Sequence, residues 1–246
     1  MLNLLKAEFH KLKTSKIFWL ILLAGIAQGI GGPLVSEKLR TMSGEDMLLF
    51  STQIQQFLLY IPILCVFAYF VGTEFHTGSI KNLVAYGHRR RDIIIAKSIA
   101  FYVGTVIISF IFPLVITLIN TFLNGYGRSF TIQALLLILR VTFLMTLVYI
   151  GMVSILVMLF YLTRNAYRPV VLFYLLDSVC RVCQTLSMRN NTVKDIYGKA
   201  VFYQVTTVTL KEITFSQGLE VVAICLITLA LSTAIAMAAF NKAELK

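Results

Sequence analysis

Five stretches of this chain run for 20 residues or more without a charged side chain: Ile17 to Ser36, Met47 to Thr73, Ser98 to Gly127, Val141 to Thr163 and Val221 to Asn241. A helix rises about 1.5 Å per residue, so about 20 residues cross a hydrocarbon core of about 30 Å. Within that core every backbone N–H and C=O needs a partner inside the protein, and a helix supplies one for each. The runs therefore predict membrane-crossing helices. With 58% apolar and 13% charged residues in 246, the rest of the chain has too little polar surface to enclose them in a soluble domain.

Pro169 to Leu186 is apolar except for Asp177 and Arg181 and is read as a sixth span, because six crossings return the chain to the side that the charge bias favours. With the first residues inside, thirteen Lys and Arg fall in the inner segments (1–16, 73–97, 163–168 and 241–246) and seven in the outer connections. Both ends are thus expected on the cytoplasmic side. The net charge of +11 then reflects topology and contact with anionic membrane lipids. The basic residues are divided among short loops with no soluble domain to shape a groove, which argues against nucleic acid as a partner. No internal repeat or linker divides residues 1–246, so one transmembrane domain is expected.

Leu2, Leu5, Phe9 and Leu12 share a helical face while Glu8, Lys11 and Lys16 point elsewhere, which predicts an interfacial amphipathic helix on the inner leaflet with Trp19 at the membrane boundary. Gly29 to Pro33 is expected to end the first span, and residues 36–53 to form a mixed-charge outer loop. Pro62 and Pro113 are expected to kink spans two and three. Residues 163–168 make a tight inner turn, so spans four and five should be antiparallel neighbours. Ser187 to Gln217 mixes aromatic and polar residues and admits two readings: a structure dipping into the membrane, or a solvated loop with aromatic anchors.

Between the second and third charge-free runs lies Thr73 to Lys97, with five Lys or Arg and two acids in 25 residues. Its Glu74-Phe75, Gly78-Ser79-Ile80-Lys81-Asn82, Gly87 and Arg89, Arg90 and Arg91, closed by Lys97, resemble the signature segment of ABC-2 type transporter permeases. Ser79 stands where that pattern has Thr, and His88 where it has Ser; Ser79 keeps the hydroxyl. The resemblance implies an all-α membrane protein: a bundle of six transmembrane helices, an N-terminal interfacial helix, and a cytoplasmic coupling helix between spans two and three. It further implies that this segment docks on a separate cytoplasmic ATPase present in two copies, that ATP and Mg are bound there and not in this chain, and that the permease pairs with itself or a sister permease. The place implied is the bacterial cytoplasmic membrane. The cargo implied is a hydrophobic or amphipathic peptide of the bacitracin, lantibiotic or secreted type. From the residues themselves, Glu74 can cap a helix start, Gly78 and Gly87 allow sharp changes of direction, and Lys81, Asn82 and the three arginines can meet acidic or carbonyl groups. A purely topogenic role for the arginines stays open.

Neither G-x-x-x-x-G-K-[ST] nor a strand-linked G-x-G-x-x-G occurs, so the chain is not expected to hydrolyse ATP itself. His10, His76 and His88 lack the clustered acids or cysteines of a metal centre, and no metal site is expected. Cys65, Cys180, Cys183 and Cys225 fall in spans and read as packing residues. Asp177 and Arg181, four apart on span five, share a face and can pair within the membrane; Arg140 on span four can approach the same face. That cluster is either a polar patch on a transport path or dimer seam, or a lock on helix packing with Arg140 reaching the outer interface. The first option keeps an alternative open, an ATP-independent secondary transporter or channel built on Asp177 and Arg181.

Overall fold

The computed structural model describes residues 1–58, 83–127, 131–165 and 167–241, and all regular structure in them is helical. In chain order the helices are α1 (Leu2–Thr14), α2 (Lys16–Val35), α3 (Glu37–Arg40), α4 (Gly44–Leu58), α5 (Arg90–Asn124), α6 (Ile132–Thr163), α7 (Arg168–Ser187), α8 (Asn191–Tyr197), α9 (Gln204–Val208) and α10 (Phe215–Asn241). Five of these, α2, α5, α6, α7 and α10, are long and apolar enough to cross a membrane. The charged segment Pro169 to Leu186 is among them, as α7. Of the predicted second span, residues 47–58 belong to α4 and the remainder, with Pro62 and Cys65, lies outside the described residues. The surfaces of α7 and α10 show many exposed side chains such as Leu175, Val179, Leu226 and Leu231. An exterior that apolar suits lipid.

The helices gather into two halves. Helices α1, α2 and α4 pack on α5, and α7, α9 and α10 pack on α6, with α5 against α6 at the seam. There the Tyr149 hydroxyl donates to the Thr52 carbonyl at 3.3 Å, and the Tyr149 ring meets Phe110 edge-on. The end of the bundle that carries Arg90, Arg164 and Arg168 is called here the basic face, and the opposite end the far face.

Helix α2 does not stop at Gly29 to Pro33; it continues to Val35 with Pro33 inside. The glycines serve close packing instead. A Cβ on Gly25 would sit 2.6 Å from Ile111 Cγ2, and one on Gly29 would sit 2.7 Å from Val115 Cγ1, so α2 and α5 touch nearly backbone to backbone. Pro33 falls two residues before the last residue of the helix, where its missing N–H costs a single late hydrogen bond.

Residues 36–53 are likewise not a loop: α3 and the first part of α4 occupy them. Asn120 and Asn124, one turn apart on α5, donate side-chain N–H to the carbonyls of Leu39, Arg40 and Met42. Backbone bonds from Gly44 to Gly125 and from Glu45 to Tyr126 complete the tie. These amides satisfy carbonyls that the turn between α3 and α4 would leave unpaired.

Beyond Ser187 the chain folds back into the bundle. Val201, Phe202, Val205 and Val208 are buried in the main core, and the Phe202 ring lies 6.1 Å from Phe173. Phe173 is only five residues from the basic-face start of α7, about 8 Å along it. Ser187 to Gln217 is thus not a solvated loop: α8 and α9 occupy part of it, and its apolar side chains pack into the bundle.

Candidate functional site

Of the residues expected to engage a partner, Glu74, Phe75, Gly78, Ser79, Lys81 and Asn82 lie outside the described residues. Gly87, Arg89, Arg90 and Arg91 are described, and they form the exit of the connector into α5. Helical residues 83–85 end in a Schellman cap: the Gly87 N–H donates to the Val84 carbonyl at 3.0 Å and the His88 N–H to the Leu83 carbonyl at 3.2 Å. The cap needs a left-handed residue at Gly87, whose φ is 84°. Two residues on, Arg89 is extended and α5 begins.

The three arginines divide their work. Arg89 and Arg91 are exposed, as is Tyr86 at 82%. Arg90 turns inward. Its guanidinium donates to the Phe240 carbonyl at 2.8 Å and the Asn241 carbonyl at 3.1 Å, and lies 5.6 Å over the Phe240 ring. From the end of α6, Arg164 donates to the Ala239 carbonyl at 3.5 Å from a left-handed backbone, φ 50°. Two cations thus donate to carbonyls in the last described turn of α10, the end where the helix dipole is negative. Phe240 in turn packs edge-on against Tyr161. Through Arg90, the connector's exit is tied to the last span.

Helix α1 is tied to the same exit. Its buried face is Leu4, Glu8 and Leu12, rather than Leu2, Leu5, Phe9 and Leu12 as the apolar spacing predicts. Leu5 and Phe9 flank that face and Leu2 is exposed. The reason is a partner: Glu8 Oε1 meets Lys97 Nζ at 2.8 Å and Lys11 Nζ at 3.1 Å, so a carboxylate can enter the contact. Leu4 packs with Ile93 and Ala96, joined by Leu5, Leu83 and Val84, while Leu12 packs over Gly104. Contacts that advance together along both helices place α1 alongside α5, running in the same direction. At the corner into α2, Ser15 accepts the Phe18 N–H and the Trp19 indole donates to the Lys13 carbonyl at 2.7 Å.

Within the bundle, Asp177 and Arg181 do pair. Asp177 Oδ2 accepts from Arg181 Nε at 2.7 Å and Nη2 at 2.6 Å. Asp177 is buried, and its Oδ1 has no protein partner. Arg140 does not join them: its guanidinium donates to the carbonyls of Leu210, at 2.6 Å, and Lys211, at 3.2 Å, beyond α9. Lys211 also pairs with Asp46 at 2.6 Å, which links the segment 187–217 to the start of α4. Arg140 is thus a far-face brace.

Glu8, Tyr86 and Arg164 are site residues that reasoning from the sequence missed. One signal was there to find: Glu8 is the only acid in the first 36 residues. Among the described residues, no group of three His, Cys, Asp or Glu side chains is placed to hold a metal ion. The arrangement is mechanical. It fixes α1, α10 and the connector's exit to one end of α5.

The family model described as "ABC-2 family transporter protein" matches residues 4–178. No curated protein and no solved structure matches the chain.

Proposed function

The chain belongs to the ABC-2 family of transporter proteins, and from that premise we propose that it is the permease subunit of an exporter driven by a separate cytoplasmic ATPase. The observation that carries this reading is the built exit of the connector. A Schellman stop at Gly87 sets the chain's direction, Arg89 and Arg91 face outward, and Arg90 and Lys97 anchor the segment to α10 and α1. A segment so fastened delivers a push on it to several spans at once. The proposed order of events is that ATP and Mg bind in two copies of the ATPase, their closure moves the connector from Glu74 to Lys97, and the bundle tilts about its seam. The path for cargo then opens between this permease and a second copy or a sister permease.

In this reading the chain crosses the bacterial cytoplasmic membrane six times, with the run Met47 to Thr73 as the second crossing and both ends in the cytoplasm. The basic face is the cytoplasmic one. The proposed cargo is a hydrophobic or amphipathic peptide of the antimicrobial kind, taken from the membrane or its inner leaflet. A lipid-facing exterior on α7 and α10 supports that choice over a large polar cargo.

Gentle purification from the native membrane tests the reading. The chain should bring down a subunit carrying G-x-x-x-x-G-K-[ST] and ATP-hydrolysing activity, and Glu74→Ala combined with neutralised Arg89 and Arg91 should lose that subunit or its coupled transport. Purification with no such subunit would overturn it in favour of an ATP-independent transporter using Asp177 and Arg181.

A further inference from the structure

At the far face, α8, α9 and the start of α10 line a cavity of about 510 Å³. Small-molecule sites run to about 300–1,000 Å³, so this one has room for a ligand. Its lining carries charges of both signs: Lys194 and Asp195 from α8, Lys199 just beyond it, and Glu220 from α10. Among the described residues none of the four forms an ion pair, with one another or with any other side chain. Arg140 and Lys211, at the same end of the bundle, are by contrast bonded within the fold, to the carbonyls of Leu210 and Lys211 and to Asp46.

Gln204 lines the same cavity although only 2% of it is exposed. Both N–H groups of its amide are used, on the Gly198 and Ala200 carbonyls, and its Oε1 has no partner among the described residues. A nearly buried amide oxygen of this kind calls for a donor from whatever fills the cavity. The frame around it is already held. The Tyr203 ring meets Tyr197 edge-on at 5.6 Å, and Arg140 fixes the Leu210 carbonyl. Thr214 and Gln217 cap the start of α10 reciprocally, the Thr214 N–H donating to Gln217 Oε1 at 2.9 Å and the Gln217 N–H to Thr214 Oγ1 at 3.3 Å. A site set in advance loses little affinity to ordering.

We propose that this far-face cavity binds a short zwitterionic peptide, its carboxylate at Lys194 and Lys199 and its ammonium at Glu220 and the Gln204 oxygen. Asp195 brings the lining to two charges of each sign, which favours a ligand of no net charge over a plain anion or cation. The Tyr203 and Thr207 hydroxyls, also without a partner among the described residues, can donate as well as accept. That suits the N–H and C=O groups between the two ends of a peptide. A phosphoethanolamine headgroup carries the two charges but no amide between them. The site is separate from the permease reading, since it lies at the opposite end from the connector and needs no ATPase to fill it.

The test is calorimetric titration of the full chain in mild detergent with triglycine, N-acetyltriglycine, triglycine amide and phosphoethanolamine. Wild type should bind triglycine saturably and each blocked peptide about tenfold more weakly. Glu220→Gln should lose about tenfold for triglycine yet bind N-acetyltriglycine as wild type does, because the ammonium that Glu220 meets is already gone. Lys194→Gln combined with Lys199→Gln should show the same pattern with triglycine amide. The three positions are exposed, and should a variant still fail to accumulate, the blocked peptides on wild type decide the matter. No saturable binding of triglycine, or blocked peptides that bind as tightly as triglycine, overturns the site. So does a loss in Glu220→Gln that is equal for triglycine and its acetylated form. Phosphoethanolamine binding more tightly than triglycine would show a headgroup site and overturn the peptide assignment. Each of these results leaves the permease reading where it stands.

Discussion

Glu8 and Lys97 meet at 2.8 Å with 3% of either side chain exposed, although 89 positions separate them in the chain. Neither lies in a charge-free run, and each would be costly to bury alone. Together they let an amphipathic helix seat on a spanning one in a single register. A leucine pair would hold the helices as firmly but would tolerate a slip by one turn.

Breaking the pair from one side should therefore cost more than removing it. Lys97→Met leaves a buried carboxylate with only Lys11, and is expected to destabilise the protein by about 3 kcal/mol. Glu8→Leu with Lys97→Met should lie within about 1 kcal/mol of wild type. Thermal unfolding in detergent compares the variants; a double variant as damaged as the sum of the singles would contradict the account.

Arg90 should separate from its neighbours in the same measurement. Arg90→Gln loses the charged bonds to Phe240 and Asn241 and the contact with the Phe240 ring, with an expected cost of about 2 kcal/mol. Hydrogen exchange should rise at residues 239–241. Arg89→Gln and Arg91→Gln should leave stability within about 0.5 kcal/mol of wild type and weaken capture of the ATPase.

At Gly87 the backbone sits at φ 84° and, among the described residues, no atom lies within 4 Å of where a Cβ would stand, so backbone strain sets the expected penalty. Gly87→Ala should cost about 1 kcal/mol and Gly87→Asn less, because Asn visits the left-handed region more readily. An Ala variant as stable as wild type would mean that the connector leaves its helix by another route.

The spans were legible because hydrocarbon imposes one simple rule: α2 and α7 fall where the charge-free run and Pro169 to Leu186 put them, and α6 and α10 contain their runs but start nine and six residues earlier. The errors arose where a tertiary partner changed what a residue could do. Helix α5 begins eight residues before Ser98 because Glu8 accepts Lys97 inside the fold, and nothing local announces that pairing. Gly29 to Pro33 has the composition of a break, yet Val115 and Ile116 of α5 pack against Gly29 and Gly32. For Ser187 to Gln217, composition left two readings open; the packing of Val201, Phe202, Val205 and Val208 in the core, against partners distant in the chain, rules out the solvated loop. In the site, Gly87 was legible from its chemistry, whereas the division of labour among Arg89, Arg90 and Arg91 depended on where α10 ends.

The pair within α7 yields an asymmetric prediction. Arg181 keeps 35% of its side chain exposed and can redirect its guanidinium towards the far face, whereas Asp177 at 2% cannot leave. Asp177→Asn removes the charge that needs burying and keeps an oxygen able to accept from Arg181. Arg181→Leu strands a carboxylate among Cys180, Cys183 and Tyr197. The loss of stability should thus be small for Asp177→Asn, below about 1 kcal/mol, and about 2 kcal/mol or more for Arg181→Leu. Asp177→Asn should also restore most of what Arg181→Leu loses when the two are combined. Equal penalties, or no rescue, would show that Asp177 is held by something other than Arg181, and unfolding of the four proteins side by side distinguishes these results.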